Sequence, residues 1–235
     1  AETVAPSAIR AKGQTFTETG MADFELPRAL EIHEIPSVIE EFAQASRNAI
    51  AAGFDGVELH AASGYLPMQF LSTGTNRRTD AYGGPAKNRI RFVVEALEAM
   101  SGAIGAGRVG IRICPGNPFN DMSDDDPADT YGTLLDAIGP MRLAYLHVIN
   151  LKVPQVDALG LAEARYRGSL IANESLTFET GSELVRAGRV AAVSYGRYFI
   201  SNPDLVRRFR EGASLADFNI KTLYTPGAAG YIGMN

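Results

Sequence analysis

The stretch DGVELHAASGYLP brings together three side chains that can donate protons to a bound ligand. The imidazole of His60 and the hydroxyl of Ser63 can both donate hydrogen bonds to one substrate oxygen. The phenol of Tyr65 follows closely and can deliver a proton to a neighbouring atom. These residue types suit a reaction in which negative charge develops on an oxygen, although their spacing alone is a weak signal.

A second group of polar residues lies in or just after apolar segments. Arg112 stands inside GIRIC, where an unpaired guanidinium is costly, so it must face an anion or a polar ligand or form a buried ion pair. His147 is predicted to be a hydrogen-bonded interior residue, and Cys114 a small buried residue without a chemical role. The aspartates before Pro127 are predicted to form a solvated loop and helix cap.

These residues follow short strand-like segments that alternate with stretches of helical periodicity. The strand segments are DGVELH, RVGIRICP, LAYLHVIN, SLIAN and VAAVSYGR. A helix is predicted from Pro36, with Ser37 as its cap, to Gly53, and further helices over 88–101, 126–138, 158–167 and 177–187. This alternation predicts an α/β fold with a parallel sheet, open or closed into a barrel, and polar residues that meet at the carboxyl ends of the strands.

Composition limits the class of protein. Hydrophobic residues make up 46% of the 235 residues, which favours one globular domain over 1–235, with 1–35 as a loop or extended arm and 36–235 as helix-strand units and a terminal tail. The net charge of −5, without clusters of Lys and Arg, argues against a nucleic-acid partner. Absence of a long apolar run predicts a soluble protein without a membrane partner. A single cysteine predicts no disulfide framework or metal site and favours the cytoplasm.

One long motif carries a specific resemblance. The run GFDGVELHAASGYLPMQFLSTGTNRRTDAYGG resembles the old yellow enzyme family of FMN-dependent ene-reductases, to which morphinone reductase and N-ethylmaleimide reductase belong. The blocks NRIRFVVEALEAM, RVGIRICP, LAYLHVIN and AAVSYGRYFISNPDLVRRF follow in the family's order. The resemblance covers the chain from about Val4 to Tyr231 and implies a (β/α)8 TIM barrel, of which this chain supplies strands 4 to 8.

The resemblance also implies an activity. Members of the family use NAD(P)H to reduce FMN, which then reduces the C=C bond of an activated alkene such as an enone or a nitroalkene. By resemblance, His60 binds the electron-withdrawing oxygen of the substrate, Tyr65 is the proton donor, and Ser63 stands where relatives carry Asn or His. The cofactor-binding residues implied in the same way are Arg112 at the pyrimidine edge of the flavin, Ser175, and the phosphate-binding pair Gly196 and Arg197.

The sequence departs from the family pattern in several places. Five strand units are visible where a closed barrel of this type has eight, so we expect either a missing segment or a second chain to supply strands 1 to 3. The family motif YGGSxENR is replaced by YGGPAKNR in this sequence, and the family's terminal YGG motif is replaced by YTP at Tyr224. Glu174 stands where relatives have a glycine next to the flavin phosphate, which a carboxylate should repel. A flavin-free barrel enzyme and a non-catalytic fragment that needs a partner chain therefore remain open alternatives.

Overall fold

The computed structural model describes residues 2–18, 20–222 and 228. The amino-terminal segment contains four short strands: β1 (Val4–Ala5), β2 (Gln14–Thr17), β3 (Gly20–Asp23) and β4 (Arg28–Ala29). β1 pairs in parallel with β4, and β2 forms an antiparallel hairpin with β3. The predicted loop or arm is thus extended but paired. The hairpin was missed because β3 is almost entirely exposed, so its residues show no apolar alternation.

The centre of the fold is a parallel sheet of five strands, in the order in which they occur along the chain. Its strands are β5 (Val57–Ala61), β6 (Val109–Ile113), β7 (Tyr145–Ile149), β8 (Leu170–Asn173) and β9 (Ala192–Ser194). All five lie in the segments predicted from the sequence. Pairing of each strand with the next one along the chain is the arrangement found in the wall of a (β/α)8 barrel.

Helices precede and connect these strands. The main helices are α1 (Ile35–Ala51), α2 (Leu66–Leu71), α3 (Ala86–Arg89), α4 (Arg91–Ile104), α5 (Pro127–Ile138), α6 (Ala158–Arg165), α7 (Phe178–Arg186), α8 (Arg197–Ser201) and α9 (Leu205–Glu211). Short 3-10 turns occupy Ala106–Arg108, Phe119–Asp121, Gly139–Met141 and Ile220–Thr222. The predicted helices are therefore present, with boundaries shifted by a few residues.

The structure corrects one predicted helix start and the predicted solvation of one aspartate. Glu34, not Ser37, is the cap position of α1, because Pro36 lies in the first turn, where its missing N–H costs nothing. Asp126 caps α5 as predicted, and its carboxylate accepts a hydrogen bond of 2.9 Å from the Asp129 amide. Asp124 is not solvated, however, since its side chain is buried and lies 3.8 Å from the Arg89 guanidinium.

The two faces of the sheet differ in polarity because successive strand residues point to opposite sides. One face carries apolar residues such as Leu59, Ile111 and Leu146, which pack with the helices into the main hydrophobic core. Beneath α2 this core contains the stacked rings of Phe70 and Phe92, with centroids 4.1 Å apart. The other face carries the polar residues, listed by strand as Glu58 and His60, Arg112, His147, Asn173, and Ser194.

Within the described residues, no helix is both long and apolar enough to cross a membrane. In the same part of the chain, β5 and β9 each pair with a single neighbour, so they form the two edges of the sheet.

Candidate active site

The register of the sheet aligns the predicted site residues side by side. His60 on β5 is directly opposite Arg112 on β6, which in turn is opposite His147 on β7. Further along the same face, Asn173 on β8 is opposite Ser194 on β9. The strand ends therefore bring residues far apart in the chain into one polar surface, as the parallel arrangement predicts.

His60 and Tyr65 lie next to each other at the end of β5. Their ring centroids are 5.0 Å apart with an angle of 45° between the planes. Burial lowers the pKa of His60 below its ordinary value, and the positive charge of Arg112 acts in the same direction. The imidazole is therefore neutral near neutral pH and can donate one hydrogen bond. Tyr65 is 54% exposed, so its phenol is accessible to a ligand and to solvent.

The loop between these two residues is fixed by contacts with the segment after β6. The Ser63 amide donates to Cys114 Sγ at 3.2 Å, and the Ser63 carbonyl accepts from Asn120 Nδ2 at 2.8 Å. Gly64 has a φ of +80°, and a Cβ there would lie 2.8 Å from the Asn120 Cβ. Ser63 itself has a φ of +57°. Its contacts to this segment are made by its backbone, which sets the direction in which the chain continues to Tyr65.

Cys114 has a structural role that the sequence did not reveal. In addition to the Ser63 amide, its sulfur accepts from Asn117 Nδ2 at 3.4 Å, and it lies 3.6 Å from the Met68 sulfur. Burial raises the pKa of the thiol, which keeps it protonated and unreactive. The predicted small buried residue is thus observed, and it is also a hydrogen-bond acceptor beneath the loop that contains Ser63.

Arg112 is only partly satisfied by the protein. Its Nη2 donates to Asn173 Oδ1 at 2.6 Å, while its Nε is buried and has no hydrogen-bond partner. The ion pairs found among the described residues do not include Arg112, so the buried ion pair suggested as an alternative is not observed. A buried donor without a partner is costly, and a polar ligand over Arg112 would remove this cost. Asn173 also donates to the Ser194 carbonyl at 3.0 Å.

A second hydrogen-bonded group crosses the same face of the sheet. His147 Nδ1 lies 2.9 Å from Glu58 Oε2, and its Nε2 lies 2.8 Å from Ser194 Oγ. Burial raises the pKa of Glu58, but the hydrogen bond and charge of His147 outweigh it, and the resulting pKa lies below the ordinary value. The prediction that His147 is a hydrogen-bonded interior residue is confirmed. The contribution of Ser194 was missed, because a serine within AAVSYG carries no sequence signal of its own.

The turn after β8 contains the strongest departure from the expected pattern. Glu174 and Ser175 have φ angles of +73° and +58°, a conformation that favours glycine. Glu174 Oε1 forms an ion pair with Arg197 Nη2 at the start of α8, which Gly196 precedes. The carboxylate thus contacts the same guanidinium that the resemblance assigns to the phosphate. Ser175 is exposed at the surface of this turn.

Two of the other departures lie at the start of α3. Pro85 occupies the cap position of α3, and Lys87 lies within this helix. Arg89, on the same helix, holds the loop by donating to the carbonyls of Leu71 and Gly84. Tyr224 lies outside the described residues. Over those residues, no group of three or more His, Cys, Asp or Glu is arranged to hold a metal ion.

Comparisons with known proteins agree with one another. A family model described as NADH:flavin oxidoreductase / NADH oxidase family matches residues 1–216. A probable flavin mononucleotide-dependent alkene reductase of Leishmania infantum is 42% identical, over 97% of this chain and 64% of that protein. The 12-oxophytodienoate reductase 7 of Oryza sativa subsp. japonica is also 42% identical, over 85% of this chain and 56% of that protein. The chain thus spans less than two thirds of the length of these relatives.

Solved structures give the same result. The old yellow enzyme homologue from Zymomonas mobilis superposes with a TM-score of 0.94 at 35% identity, over 98% of this chain and 67% of that one. Morphinone reductase in complex with tetrahydroNAD gives a TM-score of 0.91 at 39% identity, over 98% of this chain and 65% of that one. These proteins are TIM barrels of the old yellow enzyme type. The predicted fold class is therefore confirmed, with this chain matching the carboxyl-terminal units of the barrel.

Proposed function

Because this chain belongs to the NADH:flavin oxidoreductase / NADH oxidase family, we propose that it carries the substrate site of an NAD(P)H-dependent ene-reductase that uses FMN. The proposed reaction is reduction of the C=C bond of an activated alkene, such as an enone or a nitroalkene. The observation that carries the proposal is the pairing of His60 with Tyr65 beside the incompletely bonded Arg112. This arrangement offers two proton donors and one cation to a single ligand.

The residues fit the cofactor at one end and not at the other. Arg112 would hold the ring, since its buried Nε needs an acceptor such as a flavin ring nitrogen or carbonyl. Gly196 and Arg197, with Ser175, would hold the phosphate, but Arg197 is already paired with Glu174. When bound, the reduced flavin supplies the hydride that the alkene accepts.

The chain's own residues would perform the remaining chemistry. His60, neutral because of its lowered pKa, donates a hydrogen bond to the carbonyl or nitro oxygen and stabilises the negative charge that develops there. Tyr65 gives its proton to the alkene carbon next to the one that accepts the hydride. It recovers a proton from solvent, to which its phenol is exposed. Ser63 fixes the position of Tyr65 through its backbone bonds to Cys114 and Asn120.

We further propose that strands 1 to 3 of the barrel are supplied by a missing segment or by a second chain. In the described residues, the edges of β5 and β9 have backbone groups that no neighbouring strand pairs. Closure of a barrel requires partners at both edges, and it would also cover the polar face that carries the site.

The role of Tyr65 is tested by Tyr65→Phe in the full-length natural protein that contains this chain. Stopped-flow absorbance would follow flavin reduction by NAD(P)H and flavin reoxidation by an enone separately. We expect the first rate to change less than twofold and the second to fall by about 10²- to 10⁴-fold, since general acid catalysis contributes about this much. Tyr166→Phe is the control. Tyr166 precedes the amino end of β8, away from the carboxyl ends of the strands, and its substitution should alter neither rate. Equal slowing of both half-reactions would contradict the proposal.

The Glu174–Arg197 pair favours a second candidate, a barrel enzyme that works without flavin. The absorbance spectrum of the purified full-length protein separates the two. A flavin band that NAD(P)H bleaches supports the ene-reductase, whereas substrate turnover by a colourless protein supports the alternative.

A further inference from the structure

We propose that Glu174 makes this site discriminate against the terminal phosphate of the flavin, so that a flavin ending in a hydroxyl group binds relatively better than in a site with glycine at that position. The inference rests on the proposed function, because it concerns the phosphate end of the same cofactor site. It begins from the ion pair between Glu174 and Arg197, which joins the turn after β8 to the start of α8.

The backbone holds the Glu174 carboxylate in this place. Asn173, on one side, is fixed by its bonds to Arg112 and to the Ser194 carbonyl. On the other side, Thr177 begins α7 with a capping box, and its carbonyl accepts from the Tyr195 hydroxyl at 2.9 Å. The turn is held at both ends, and the ion pair with Arg197 directs the Glu174 carboxylate at the start of α8.

The charge at this position favours a neutral ligand terminus. The Arg197 charge is balanced by Glu174, so a phosphate monoester, which carries between one and two negative charges, would have to displace the carboxylate or lie beside it. A terminal hydroxyl has no such conflict, because it can donate a hydrogen bond to the carboxylate. The same ion pair that weakens the phosphate contact therefore provides an acceptor for a hydroxyl.

The strain in the turn is a second, independent observation. A non-glycine residue in the left-handed region is disfavoured, and Glu174 and Ser175 both adopt it in succession. Glycine would fit this backbone without strain and would leave Arg197 free for an anion. A charged side chain at a strained backbone position supports a functional role for Glu174, and its ion pair with Arg197 points to the ligand terminus.

The experiment compares FMN with riboflavin, which differ only in the phosphate. Dissociation constants are measured by quenching of flavin fluorescence in the full-length natural protein and in Glu174→Gly and Glu174→Gln. Removal of the negative charge should lower the Kd of FMN by about tenfold to a hundredfold in both variants at low salt, with less gain at high salt. The Kd of riboflavin should rise or stay within about threefold. Glu179→Gln removes a nearby exposed carboxylate of α7 and serves as the charge control, with little change in the ratio of the two constants.

An unchanged ratio of the FMN and riboflavin constants in both Glu174 variants would overturn the inference and leave the ene-reductase proposal intact. If no variant binds either flavin, both proposals fail together. The Gln variant keeps the size of the side chain, so an effect seen there reflects charge and not a change of fold.

Discussion

The loop after β5 and the turn after β8 both carry residues of the proposed site, yet they are held in different ways. The loop around Ser63 is fixed by partly buried hydrogen bonds to Cys114 and Asn120, and α2 beneath it packs into the main core. The turn around Glu174 lies at the surface and is joined to α8 by an ion pair that is partly exposed, although both regions contain two consecutive left-handed residues. A new side chain in the first region would meet neighbouring atoms, whereas in the second it can extend into solvent, and its cost is the strain of the left-handed backbone.

This contrast accounts for the departure at Glu174, where the family pattern has a glycine. In the loop after β5, a Cβ added at Gly64 would lie too close to the Cβ of Asn120. At the turn after β8, a glutamate is accommodated because its side chain extends from the surface toward Arg197. In the proposed function, the substrate residues would thus lie on a loop held against the core, and the phosphate residues on a turn at the surface.

The largest expected difference between the two regions is in stability. Phe70→Ala should lower the free energy of unfolding by about 3 to 5 kcal/mol, because the ring is fully buried and stacked on Phe92 under the loop. Phe178→Ala, at the turn side, is the matched control; its ring is 37% exposed and stacks on Phe209, so we expect a loss of about 1 kcal/mol. Urea denaturation measures both, and equal losses would remove the contrast.

His60→Ala should weaken the binding of a small phenol or enone by about tenfold, because it deletes a donor directed at the ligand oxygen. The change in absorbance on ligand titration gives the Kd. His33→Ala, on the exposed segment before α1, is the control and should leave the Kd unchanged. If His60→Ala also leaves it unchanged, His60 does not belong to the substrate site.

Asn120→Ala should destabilise the protein by about 1 to 2 kcal/mol. The substitution removes the hydrogen bond to the Ser63 carbonyl and places alanine at a φ of +57°, which asparagine tolerates better. Thermal unfolding measures the effect. Asn48→Ala, on the exposed side of α1, should change stability by about 0.5 kcal/mol or less. A loss for Asn120→Ala no larger than this would show that the loop is held by other contacts.

The smallest expected effect has the opposite sign. Ser175→Gly should raise the free energy of unfolding by up to about 1 kcal/mol, because glycine adopts the left-handed conformation of this turn without strain. The same substitution at Ser182, inside α7, should instead lower it by about 0.5 kcal/mol through the poor helix propensity of glycine. Chemical denaturation of the two variants measures both changes in the free energy of unfolding. Destabilisation by Ser175→Gly would mean that the turn is not strained.

The sequence predicted the five strands of the sheet and the helices before them because both have clear apolar periodicity. It could not predict the hairpin of β2 and β3, whose residues are mostly exposed and show no regular apolar alternation. Within the candidate site, the strand ends were located correctly, since parallel strands direct their carboxyl ends to one edge. The bonds of Asn120 to Ser63 and of Asn173 to Arg112 were not predicted, because such pairs are far apart in the chain and carry no local signal.

The position of Cys114 makes its thiol a reporter of motion in the Ser63 loop. It is the single cysteine of the sequence, and its sulfur is buried under the Ser63 loop. A thiol reagent can modify it only while the contact between this loop and the segment after β6 is open. The rate of modification under native conditions therefore measures how often the Ser63 loop separates from the segment after β6. A ligand that binds between His60 and Tyr65 should slow the labelling in proportion to its occupancy.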